Sequence, residues 1–226
     1  MVDWGRAVKM PFQDWKKLGI AGLMYVIPVV NIVTSFFATG YGLKMAENSM
    51  KKKFSLPEWE DWGGLFLKGL LGAIISIIFM LPAMIVAFVG IRSTMFTMFS
   101  MMMSGTLDTY NLWGILFDSL GISVVVAVLL GLIAIYLLPA ALMFFVKEDS
   151  FASAFNFSGI FKKVFTGDYF VAWLGLVVYG IIVGIIAGFI SGLLAVTVVL
   201  PIVIMALVQA IVLITGMTVF GEVFQK

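Results

Sequence analysis

From Tyr169 to Gly221 the chain runs 53 residues without one Lys, Arg, Asp or Glu. A helical bilayer crossing takes roughly 20 apolar residues, so a stretch this long predicts two crossings folded back on each other. Lipid offers no partner to backbone N–H and C=O groups, and a helix satisfies them internally. Barrel strands do not fit, because they alternate in polarity and span only about ten residues each. Within the run, Gly180, Gly184, Gly188 and Gly192 recur at every fourth position and form a smooth stripe on one helix face. Membrane helices use such stripes to approach closely; packing inside the protomer and contact with a second copy both fit the pattern.

Hydrophobic residues make up 62% of the 226 and charged residues 12%, where a water-soluble domain carries about 25% charge. The net charge of +2, with no long basic block, argues against nucleic acid as a partner. Cysteine and histidine are both absent, which excludes disulfides, thiol nucleophiles, His- or Cys-based metal and haem sites, and histidine proton relays. No cofactor is expected.

Uncharged windows mark five segments: Leu18 to Leu43, Gly69 to Ile91, Ser119 to Val146, Tyr169 to about Ile190, and about Leu193 to Gly221. The fold class they predict is all-α, a polytopic transmembrane bundle of about five apolar segments with interfacial amphipathic helices, forming one integral membrane domain over 1–226. Ser191-Gly192 is the expected turn between the last two. The first segment, at 26 residues, is too long for a signal-peptide core and is expected to be retained. Pro28, Pro82, Pro139 and Pro201 sit in four of the five runs, each expected to kink its helix by removing a backbone hydrogen bond. Such kinks serve as hinges in some transporters and merely shape the bundle in other proteins.

Charge sets orientation by the positive-inside rule. With five crossings, Arg6, Lys9, Lys16, Lys17 and Arg92 share one side and the other nine bases the opposite one. If Leu18 to Leu43 instead dips in and returns near Pro28 and Asn31, every base except Arg92 shares a side, thirteen against one. The charge count favours the re-entrant path. Against it, half-segments of 13 residues reach about 20 Å into a core about 30 Å thick. Both versions put the end of the chain in the cytoplasm, in a multi-pass protein of the cell membrane.

Four stretches lie outside the core. Residues 1–17 mix Trp4, Phe12 and Trp15 with four bases and read as an interfacial lead-in. Residues 44–68 form an acidic, tryptophan-containing cytoplasmic loop in which Glu58, Trp59, Glu60, Asp61 and Trp62 are the candidate partner contacts; charge balance and indole anchoring are the plainer reading. Residues 92–118 form a non-cytoplasmic loop with Met95, Met98, Met101, Met102 and Met103. Their thioethers suit Cu(I) in principle, but interleaved Phe96 and Phe99 favour an apolar helix at the bundle mouth. Residues 148–167 read as an interfacial helix, acids first and Lys162 and Lys163 last, as the helix dipole prefers. At membrane depth Asn31 and Gln209 are the main polar candidates, and no charge sits mid-crossing to relay protons or ions.

The order Met10-Pro11-Phe12, Asp14-Trp15, Val26-Ile27-Pro28, Gly40-Tyr41-Gly42-Leu43-Lys44 and Leu56-Pro57-Glu58-Trp59-Glu60-Asp61-Trp62-Gly63 resembles a prokaryotic, mainly archaeal membrane family, domain of unknown function 4013. Leu138-Pro139-Ala140, Ala154-Phe155 and Phe220-Gly221-Glu222 are similar as well. The resemblance implies a multi-pass membrane protein and brings no activity or catalytic residue with it. The expected function is a non-enzymatic scaffold or accessory subunit, with membrane lipids and a protein partner or second copy as its contacts. A transporter or channel for a small neutral or lipid-like solute is the alternative.

Overall fold

The computed structural model describes residues 2–26, 30–106, 108, 113–114 and 121–225. Among these residues there is no β-strand, and eight α-helices are present: α1 (Trp4–Lys9), α2 (Trp15–Val26), α3 (Asn31–Met50), α4 (Trp62–Met103), α5 (Gly121–Glu148), α6 (Phe157–Val164), α7 (Gly167–Leu193) and α8 (Val199–Val223). Single 3-10 turns run over Met10–Gln13 and Phe151–Phe155. Helices α4, α5, α7 and α8 are long and apolar enough to cross a bilayer. They turn large side chains outward, such as Ile181, Ile185 and Phe189 of α7. A surface of that kind is a liability in water and the expected one in hydrocarbon.

The chain divides into two compact units, one of residues 1–75 with 139–226, the other of residues 76–138. In the first, α8 is the central helix and contacts set the direction of its neighbours. Gly22 of α2 abuts Leu207, while Asp3 and Arg6 meet Glu222, so the N-terminal arm runs antiparallel to α8. Gly42 of α3 abuts Leu213 and Met217, and Ala46 meets Gly221 further on, so α3 runs parallel to α8. Hence α2 and α3 are antiparallel to each other. Near the tip of this hairpin the Thr34 hydroxyl donates to the Met24 carbonyl over 2.6 Å. The apolar run Leu18 to Leu43 therefore holds parts of two antiparallel helices, the hairpin of the two paths that the sequence left open. Pro28, expected to kink this run, lies outside the described residues.

The core of this unit lies where the hairpin meets α8 and the start of α4: Met10, Leu18, Tyr41, Met45, Leu65 and Ile214 are all buried there. Glycine allows the closest crossings. A methyl at Gly40 would strike the Leu65 carbonyl, and one at Gly69 the Phe36 carbonyl, so α3 and α4 pack backbone against backbone. In the second unit α4 and α5 run antiparallel, with Gly90 against Ser123 and Ala83 beside Gly131.

Three sequence expectations change. The regular glycine series does not pack within the protomer: a Cβ built at Gly180, Gly184, Gly188 or Gly192 meets nothing within 4 Å among the described residues. Pro201 does not sit mid-helix. Helix α7 continues through Ser191 and Gly192 to Leu193, the turn falls on Leu194 to Val198, and Pro201 is the third residue of α8. There its missing N–H is one the first turn leaves unpaired anyway. Finally, the methionine stretch 95–103 is helical, as its interleaved phenylalanines suggest, but it is the end of a continuous α4 and not part of a loop beginning at residue 92. Pro82 and Pro139 do lie inside helices, α4 and α5.

Candidate functional site

The charged groups of the first unit gather at one end, where α1, the 51–61 loop, α6 and the end of α8 meet. Asp3 caps α1 by accepting from the Arg6 N–H and pairs with its guanidinium at 2.8 Å. The Arg6 backbone hydrogen bond leads the causes that hold the Asp3 carboxyl below its usual range. Arg6 then reaches Glu222 at 3.5 Å, and the Asp3 N–H donates to the same carboxylate at 2.8 Å. The Glu222 side chain is 5% exposed, so these contacts are what make its charge tolerable. Arg6 also lies over the Phe54 ring at 3.9 Å, and the Trp4 indole fills the space that Gly175 leaves on α7. A six-residue helix could not stand alone; α1 is held by these anchors.

The tryptophan loop is built inward. Trp59 stacks on Tyr41 with centroids 4.2 Å apart and planes 4° from parallel, and its Nε1–H donates to the Lys17 carbonyl. Tyr41 in turn donates to the Pro57 carbonyl. Glu58 pairs with Lys17 at 2.5 Å, Asp61 accepts from the Gly64 N–H at the start of α4, and Trp62 rests beside Trp59 and Phe37. Three of the five candidate partner contacts, Glu58, Trp59 and Trp62, thus clamp the hairpin to α4, while Asp61 caps the start of α4. Glu60 is exposed and makes none of these contacts among the described residues.

Next to the clamp, Glu47 of α3 bridges two lysines, Lys51 at 2.5 Å and Lys68 of α4 at 2.7 Å. Burial works against the Glu47 charge, but hydrogen bonds from both lysines outweigh it and hold the carboxyl below its usual range. The chain leaves α3 through a left-handed residue, Lys52, at φ 59°. The Lys52 N–H bonds the Ser49 carbonyl and the Lys53 N–H bonds the Asn48 carbonyl, a cap in which glycine is the usual choice at the left-handed position because it carries no Cβ. Lys163 of α6 donates to the Val223 carbonyl at 2.7 Å, and desolvation there pushes its ammonium pKa down.

Helix α6 opens on Asn156, whose side chain accepts from the Gly159 N–H. It buries Ile160 and Val164 and leaves Phe157, Phe161 and Phe165 outward at four-residue spacing. The helix thus has one buried face and one outward apolar ridge of phenylalanines beside the exposed Lys162. Phe12 and Trp15, also exposed, form a second aromatic pair 5.5 Å apart. The expected interfacial stretch at 148–167 is thus a 3-10 turn followed by a short amphipathic helix.

Of the intramembrane polar candidates, Gln209 is exposed on α8 and makes no side-chain hydrogen bond among the described residues, while Asn31 opens α3 half-buried. Among the described residues neither forms the cross-helix bond that its position suggests. Sequence reasoning passed over Arg6, Tyr41, Glu47, Lys68 and Glu222 as site residues. The signal for the acids was their placement, Glu47 and Glu222 each standing at the last turn of an apolar run, where an unpaired carboxylate is unfavourable.

A helical bundle with four helices of membrane-spanning length and hydropathy, and with its charges drawn to one end of its larger unit, is the fold of a membrane protein. The chain belongs to the family described as protein of unknown function DUF4013, whose model matches residues 20–192. No curated protein and no solved structure matches it.

Proposed function

We propose that this is a multi-pass protein of the cell membrane whose charged end lies on the cytoplasmic face and works as a non-enzymatic scaffold or accessory subunit. The carrying observation is the contact of Arg6 and Asp3 with Glu222, which needs the chain on both sides of its apolar segments to be at the same membrane surface. An even number of crossings meets that need. The α2–α3 hairpin then enters and returns, α4 and α5 go out and back, and α7 and α8 do the same. At 12 residues α2 is about 18 Å long, too short for a core of about 30 Å. Thirteen bases then fall on the cytoplasmic side and Arg92 alone on the other, as the positive-inside rule favours.

The surfaces left outward at this end suit contacts rather than chemistry. They are the α6 phenylalanine ridge, the Phe12–Trp15 pair and free lysines, all suited to lipid headgroups and to a partner at the membrane surface. The direct test is mild detergent extraction followed by identification of what co-purifies. Stoichiometric protein or retained lipid supports the scaffold. A bare protein that instead moves a solute across proteoliposome membranes overturns it in favour of a transporter.

A further inference from the structure

The charged end holds a cleft of about 650 Å³ where α3, α5 and α8 finish and α4 begins. Four lysines line it, Lys51, Lys52, Lys68 and Lys147, against two acids, Glu47 and Asp149, which leaves an excess of two positive charges. Those charges are not evenly committed. Glu47 is occupied by Lys51 and Lys68, and neither Lys52 nor Lys147 has an ion pair among the described residues. Lys52 also occupies a left-handed position that glycine fills more cheaply, so its ammonium is kept at the rim at a cost in backbone energy. The cleft floor is apolar, made by Val146 and Phe224.

A second cleft of about 470 Å³ shares Glu47, Lys68 and Asp149 with the first and adds one base, Lys44, and one acid, Asp61, so the two clefts together keep the excess of two positive charges. Its wall is hydrocarbon: Leu67, Leu71, Phe145 and Phe151. Leu67 is more than half exposed, so this wall is open to what surrounds the helix. Free ammonium groups beside an apolar channel, at the end of membrane-length helices, match a ligand with an anionic head and a greasy tail. Basic pockets between cytoplasmic helix ends recognise phosphate-bearing headgroups in this way, and lysine serves such sites as a point charge.

We propose that these joined clefts bind an anionic phospholipid, its phosphate held by Lys52 and Lys147 over the Glu47-bridged lysines and an acyl chain laid along Leu67, Leu71 and Phe145. This rests on the membrane reading above and names the lipid class that its charged end would take.

The test uses the full chain in a nonionic detergent, titrated with dihexanoyl phosphatidylglycerol, dihexanoyl phosphatidylcholine and inorganic phosphate, with thermal stabilisation as the readout. The anionic lipid is expected to stabilise the protein saturably, and the other two to do so weakly. The double variant Lys52→Gln, Lys147→Gln should bind the anionic lipid about thirtyfold more weakly, each lysine counting for about fivefold. Since neither lysine is paired, far-UV circular dichroism should show unchanged helicity. A control, Lys9→Gln with Arg92→Gln, removes the same charge at exposed positions outside both clefts and should keep wild-type affinity. Equal losses in both double variants would overturn the site, as would equal stabilisation by phosphatidylcholine. Inorganic phosphate binding as tightly as the lipid would overturn the lipid assignment. Any of these failures leaves the scaffold reading to its own co-purification test.

Discussion

Arg6 Nη1 stands 3.5 Å from Glu222 Oε1, 216 positions further along the chain, and the Asp3 N–H closes on the other oxygen of the same carboxylate. The pair ties the lead-in helix to the end of α8 and fixes which side of the bundle each belongs to. Arg6→Ala leaves a nearly buried carboxylate with one backbone donor. The expected loss is about 1–2 kcal/mol, less than for a fully buried pair because the Arg6 side chain is 36% exposed. Thermal unfolding in detergent measures it, and limited proteolysis should show residues 1–13 cut first.

Glycine substitutions should separate real helix contacts from apparent ones. Gly40→Ala and Gly69→Ala each drive a methyl into a carbonyl of the facing helix, and each should cost about 1–3 kcal/mol. Gly184→Ala meets open space and should be neutral or stabilising by up to about 1 kcal/mol, through higher helix propensity. Melting temperatures of the three variants, measured side by side, check the order.

The stacked Tyr41–Trp59 pair is expected to dominate the stability of the hairpin clamp. Trp59→Ala should cost about 3 kcal/mol, by lost burial and stacking together. Tyr41→Phe keeps the ring and loses only the bond to the Pro57 carbonyl, for about 1 kcal/mol. Equal effects would show that the hydroxyl, not the stack, holds the loop.

Acid should weaken the α3–α4 junction through Glu47. Its carboxyl is held below the ordinary value of 4.5 in the folded protein, so its contribution is complete above that value. The contribution is lost as pH falls through the lowered folded value. Glu47→Gln should therefore reduce stability at neutral pH and flatten the decline below about pH 4.5. A melting-temperature series against pH for both proteins gives the comparison.

The four long helices were legible because nothing but hydrophobicity defines them, and Tyr169 to Gly221 has no other reading. The end of α7 was not. Leu194 to Val198 is as apolar as a helix interior, and the turn is held by the Thr197 N–H and hydroxyl, which both donate to the Leu194 carbonyl. Glycine spacing misled for a related reason. A repeat within one helix says which face is smooth, but whether another helix lies opposite is a tertiary fact, and the close crossings use isolated glycines such as Gly40, Gly69 and Gly221. The acid-tryptophan loop stood out in the sequence, yet its partners Tyr41 and Lys17 are brought to it only by the hairpin. The path of Leu18 to Leu43 was balanced between charge and length; contacts far along the chain decide it, since Gly22 finds Leu207 and Gly42 finds Leu213.

The most direct test of the hairpin and its topology uses the absence of native cysteine. Single variants Lys9→Cys, Lys162→Cys, Ser104→Cys and Val196→Cys, each at an exposed position, are labelled in sealed vesicles with a membrane-impermeant maleimide. Residues 9 and 162 should react from the cytoplasmic side, and 104 and 196 only from the opposite side. Labelling of residue 9 together with 104 and 196 would mean that the first segment crosses, and would contradict the account.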